Sequence, residues 1–143
     1  MLWRIAIGLA FAWALVMPPL FTNGACTAEF DAEAARIDAD RAALSDPARA
    51  LAYWSERGIA HFNVSKEACR RSPPRFVANC GDGPLVYARV PVTHPVCRIY
   101  RDDSILVQLQ YDARNRLART QVDMAPYKRL SIPFTSRTID WAR

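Results

Sequence analysis

The sequence predicts an α+β fold: an N-terminal signal or anchor segment, two helices, then a three- to four-stranded antiparallel sheet. Three stretches carry that prediction: the alternating run at 104–124, the capped helix pattern at 45–58 and the apolar N-terminus. In the first, Ile105, Val107, Leu109 and Tyr111 share one side at a period of two, with Gln108 and Gln110 opposite. Such alternation marks a half-buried antiparallel strand. Asp112 to Asn115 then read as a tight reversal, since Asp suits the first turn position and Asn tolerates the left-handed conformation. The return strand is expected to place Ala118, Thr120, Val122 and Met124 on one face.

The helix that covers this hairpin is expected at 47–57. Asp46 is a good N-cap, Pro47 fits the first helical position and Gly58 is a natural stop. Leu51 and Trp54 lie on one side with Pro47 and Ala50, which makes this the element that packs on the sheet. Upstream, Phe30, Ala34, Ile37 and Leu44 follow the helical period over 30–44, interrupted by Arg41. Its many alanines favour helix but offer little to bury, so it reads as a peripheral helix or a stalk. Residues 60–84, with Pro73-Pro74 and the turn Gly81-Asp82-Gly83-Pro84, read as irregular. Strands follow at 85–92, where Pro91 confines the end to an edge or bulge, and at 96–101. Residues 130–134 suit a short edge strand, and Trp141 is expected to pack back onto the domain. The chain thus divides into a signal peptide or membrane anchor at 1–25, a helical stalk at 26–44 and an α+β domain at 45–143.

Arg4 is followed by an apolar run at 5–17, a break at Pro18-Pro19, and small residues at Gly24 and Ala25. This is the layout of a secretory signal peptide. An uncleaved anchor is the alternative, although a span needs about 20 apolar residues and this run reaches that length only through the prolines. Either way the bulk of the chain is expected outside the cytoplasm, in a periplasm-like compartment. Export makes Cys26, Cys69, Cys80 and Cys97 a disulfide framework, with three pairings open. A Cys69–Cys80 bond would staple the irregular segment; a bond from either to Cys97 would fasten it to the sheet. Cys26, after Asn23-Gly24-Ala25, also stands where a bacterial lipoprotein carries its lipid. Lipidation would leave an odd thiol among the other three, which favours two disulfides or a cut after Ala28 that discards Cys26.

The net charge of +5 is too small to argue nucleic-acid binding. Within it, Arg114, Arg116 and Arg119 cluster at the hairpin and are candidates for contact with an anionic surface such as lipid headgroups. Lys66, Arg70, Arg71 and Arg75 form a second group. No metal or cofactor site is expected: His61 and His94 lack a zinc-ligand spacing with the cysteines, and Gly81–Gly83 lacks the strand and helix of a phosphate loop. Asp102 and Asp103 read as a solvated turn rather than an acid–base pair.

The capped helix at 45–58 and the hairpin Val107-Gln108-Leu109-Gln110-Tyr111-Asp112, turn, Leu117 resemble the small periplasmic lipoproteins of the outer-membrane β-barrel assembly type (BamE-like). The resemblance covers residues 45–124. It departs at Asn115, where that family commonly has glycine, at the lipid-attachment site, and at the Cys69/Cys80 insertion. It implies a binding or scaffolding module rather than an enzyme, with another envelope protein as its partner and membrane association as a further candidate. A periplasmic inhibitor or immunity protein that blocks an enzyme is the alternative, and a hydrolase of unassigned type is the third reading.

Overall fold

In the computed structural model of the chain, the described residues are 2–71, 80–95, 104–124 and 137–142. They form helices α1 (Leu2–Ala39), α2 (Pro47–Glu56) and α3 (Lys66–Arg71), and strands β1 (Ala60–Val64), β2 (Leu85–Pro91), β3 (Ser104–Tyr111), β4 (Leu117–Met124) and β5 (Arg137–Ala142). The strands make one antiparallel meander in the order β1-β2-β3-β4-β5, so the fold is α+β. The expected hairpin is its middle. Val107 pairs with Ala88 on β2 and with Val122 on β4, and all three are buried.

The turn closes as its residues dictate. Asn115 takes φ 58, and the Asp112 carboxylate accepts the backbone N–H of Arg114 and of Arg116 at 2.8 and 2.9 Å. One detail of the return strand differs from expectation. The register slips between Gln110/Tyr111, pairing Gln110 with Arg119 and Tyr111 with Leu117. Ala118 is therefore the extra residue of a bulge. It is exposed, and Leu117 takes the core position instead. Strict alternation cannot anticipate a bulge, which inverts the parity of every residue before it.

The helix α2 begins and ends where its caps place it. Asp46 accepts the Arg49 N–H at 3.0 Å, Pro47 opens the helix, and Gly58 has φ 65. Ala50 and Trp54 are fully buried. The segment expected as a stalk is not peripheral. Phe30, Ala34, Ile37 and Leu44 are buried in the same cluster as Trp54, Tyr111 and Val107. Alanine-rich spacing does leave little to bury per turn, but Phe30 and Ile37 seat α1 on the sheet, and Leu44, in the turn after the helix, joins the same cluster. Arg41 does not break this stripe, because the helix has ended by then. It pairs with Asp38 at 2.8 Å and lies over the Trp141 ring.

Among the described residues the sheet has five strands, against the three to four expected. The additions are the two edges, and both are short. Residues 60–64 fall in the stretch expected to be irregular; their burial does not alternate, so no period was there to read. The same stretch holds α3, capped by the Ser65 hydroxyl accepting the Ala68 N–H. The strand β5 brings Trp141 against the core cluster. The strand expected at 96–101, the turn at Asp102-Asp103 and the edge strand expected at 130–134 lie outside the described residues. A disulfide joins Cys69 to Cys80 and closes the second, smaller cluster, with Leu85, Val64 and Tyr87. Gly83 is fixed by a close approach: a Cβ there would run into the Asp112 carbonyl, while Pro84 accepts the Tyr111 N–H at 3.1 Å.

Candidate functional site

Polar side chains converge where α1 crosses the end of α2. Glu33, although buried, accepts hydrogen bonds at Oε2 from Arg36 at 3.0 Å and from Arg57 at 3.1 Å, and its Oε1 lies 2.9 Å from the Arg57 guanidinium as an ion pair. Arg57 also donates to the Tyr53 hydroxyl at 3.1 Å, and that hydroxyl donates to Asp40 at 2.6 Å. The guanidinium lies over both the Tyr53 and Trp54 rings. Desolvation, with the hydrogen bond to Asp40, pushes the Tyr53 phenol up to about 12. Beside this network a cleft of ≈ 320 Å³ opens between α1 and the end of β2, floored by Ile59, Val90 and Ile105. Glu29 closes its far side by accepting the Thr93 N–H and hydroxyl, both at 2.6 Å. Partial burial opposes ionisation of Glu29, but these hydrogen bonds and that of the His94 N–H hold its carboxyl below the usual range. The charges lining the cleft are thus spent on one another. They lock α1 to α2 and to the loop at 92–94.

The three hairpin arginines have different partners. Arg116 donates to Asp112 at 2.9 Å, and Arg119 donates to Asp140 of β5, one bond being 2.8 Å. Hydrogen bonds from Arg119 hold the Asp140 carboxyl below the usual range. Of the three, only the Arg114 side chain has no carboxylate partner among the described residues. In the second basic group, Lys66 lies 3.7 Å from Asp82, with Arg70 at 4.0 Å. Arg75 lies outside the described residues.

Of the four cysteines, Cys69 and Cys80 are bonded to each other. Cys26 is disulfide-bonded and buried; Cys97 lies outside the described residues. No group of three or more His, Cys, Asp and Glu that could hold a metal occurs among the described residues. The His61 ring lies with Nδ1 2.8 Å from the Ile59 carbonyl and Nε2 3.4 Å from the Ser55 hydroxyl. This contact was not anticipated from the sequence, because it joins the end of a helix to an edge strand that had no pattern. The two side chains meet at the surface, at a distance longer than a nucleophile–base hydrogen bond.

Two surfaces remain. Within the described residues β1 pairs with β2 alone. Its Phe62 is 50% exposed and stacks on Tyr87, ring centroids 5.0 Å apart. At the start of α1, Trp3, Ile5, Ile7 and Leu9 are exposed, although no helix among the described residues is long and apolar enough to cross a membrane. No family model, curated protein or solved structure matches the chain.

Proposed function

We propose that the chain is an exported, non-enzymatic binding module of the cell envelope, which takes an extended segment of another envelope protein onto β1. The edge strand carries this reading. An edge presents a row of backbone donors and acceptors that another strand can complete. A half-exposed aromatic in the middle of that edge supplies the side-chain contact that gives such pairing its specificity. Export is supported by the two observations on sulfur, Cys69–Cys80 and the bonded Cys26, because disulfides persist in oxidising compartments. The exposed apolar start of α1 fits a leader that the folded domain does not need. The BamE-like resemblance at 45–124 points to the same class of role.

The test is photo-crosslinking from position 62 in intact cells, with the full chain. A discrete adduct with one envelope protein is expected. Introducing a charge at the neighbouring edge position, Val64→Lys, should reduce that adduct at least tenfold, and Arg114→Ala should leave it unchanged. An adduct insensitive to Val64→Lys, or no adduct at all, rejects strand addition. An adduct with a single hydrolase whose activity falls on binding would replace scaffolding with inhibition.

A further inference from the structure

The fate of Cys26 decides how the chain matures, and three roles compete for it: lipid attachment site, residue discarded with the leader, or half of a disulfide. We propose the third. Cys26 is retained in the mature protein as a half-cystine, and any leader cleavage falls at or before the Ala25–Cys26 bond. This rests on the export reading above.

Four observations converge. Cys26 is 3% exposed, inside the main core cluster with Phe30 and Ala34. It is disulfide-bonded, so its sulfur has no thiol for an acyl-bearing group. Even if reduced, a sulfur at this depth would drag the acyl chains into the core instead of toward a bilayer. Third, the residues just after it are structural. Glu29 holds the loop at Thr93 and His94 through three hydrogen bonds, and Phe30 is fully buried. A cut after Ala28 would place a charged amino terminus on Glu29, beside that buried ring, and would remove the cross-linked residue. Fourth, the start of α1 differs in kind: Trp3, Ile5, Ile7 and Leu9 are exposed, whereas Cys26, Phe30 and Ala34 of the same helix are buried, so Cys26 belongs with the part of α1 that serves the core.

The chemistry is thiol–disulfide exchange with a disulfide donor of the oxidising compartment. Each protein disulfide forms as two thiols lose their protons and a pair of electrons, and the donor is reduced to a dithiol. With Cys69 and Cys80 joined to each other, the sequence leaves Cys97 as the cysteine for Cys26.

The experiment is intact-mass and peptide analysis of the full chain after expression in a bacterium with its own export machinery. The expected product begins at or upstream of Cys26, carries no lipid, resists alkylation until reduced, and then takes up four alkyl groups. Digestion without reductant should release Cys26 and Cys97 peptides joined. A thioether-linked lipid on Cys26, or a chain starting at Glu29, overturns the inference while leaving export intact. A cytoplasmic chain with an intact leader and four reactive thiols overturns the export reading itself. Cys26→Ser adds an independent check: the exported variant should show about one maleimide-reactive thiol per chain against none in the parent. Membrane release without a new thiol would favour lipidation. Should that variant be degraded, the parent's mass still decides.

Discussion

The two faces of the sheet are stabilised by different means. Against the inner face, α1 and α2 bury Phe30, Ile37, Leu44, Trp54 and Tyr111 together with Val86, Val107, Leu109 and Val122. On the other, the described residues form a smaller cluster in which Cys69 and Leu85 are buried and Val64, Cys80 and Tyr87 pack against them. The inner face follows the common rule that burial of apolar area drives folding, at about 25 cal/mol per Å². Among the described residues the outer cluster is smaller, and a covalent bond, Cys69–Cys80, is part of it. The exposed Phe62 lies beside the stapled corner, which is where the proposed strand addition would occur.

Trp54→Ala breaks the inner face at its largest residue. The side chain is fully buried, and removing a buried tryptophan costs about 3–5 kcal/mol. Urea unfolding should show that loss with the disulfides intact. A loss below about 1 kcal/mol, the size of a surface substitution's effect, would mean that α2 does not cover the sheet. The matching test of the other corner is Cys69→Ser with Cys80→Ser. Removing a cross-link of sequence separation 11 should cost about 3 kcal/mol on the chain-entropy view. Amide exchange should then speed up across α3 and β1 and far less across β3. Equal acceleration in β3 would show that the two faces unfold as one unit and that the contrast drawn above is wrong.

The same contrast governs what the sequence discloses. Wherever a residue's environment is set by apolar periodicity or by a local cap, the pattern is written in the chain: Ile105 to Tyr111, Trp54, Asp46, Gly58 and Asn115 all occupy the positions their chemistry requires. What is set by long-range geometry is not. The edge strand β1 has no alternation because one of its sides and most of its side chains face away from the core. The bulge at Ala118 depends on how β4 meets Tyr111. The seat of α1 depends on Phe30 and Ile37 with alanines between them, a spacing that fits a stalk equally well until the sheet is placed beneath it. Among the candidate site residues, the hairpin arginines were legible as a cluster, but their carboxylate partners were not. Asp140 is 21 residues from Arg119, and only the pairing of β4 with β5 brings them together.

That pair gives the smallest effect and the finest test of the comparison, because it holds β5 on the side where burial is thin. Both side chains are more than a third exposed, at 37% and 35%, so solvent screening limits Arg119→Ala to about 0–1 kcal/mol near neutral pH. Its signature is the pH dependence. Hydrogen bonds from Arg119 hold the folded-state pKa of Asp140 below its usual value of 3.8, so the unfolded chain binds this proton more readily than the folded one. The contribution is therefore complete above that value and disappears as pH falls through the folded-state pKa. Urea unfolding of parent and Arg119→Ala should differ near neutral pH and converge as the pH is lowered through the folded-state pKa of Asp140, with the difference also shrinking at high salt. A difference that persists undiminished in acid would mean that Arg119 stabilises the edge through the packing of its aliphatic stem on β5 and not through its charge.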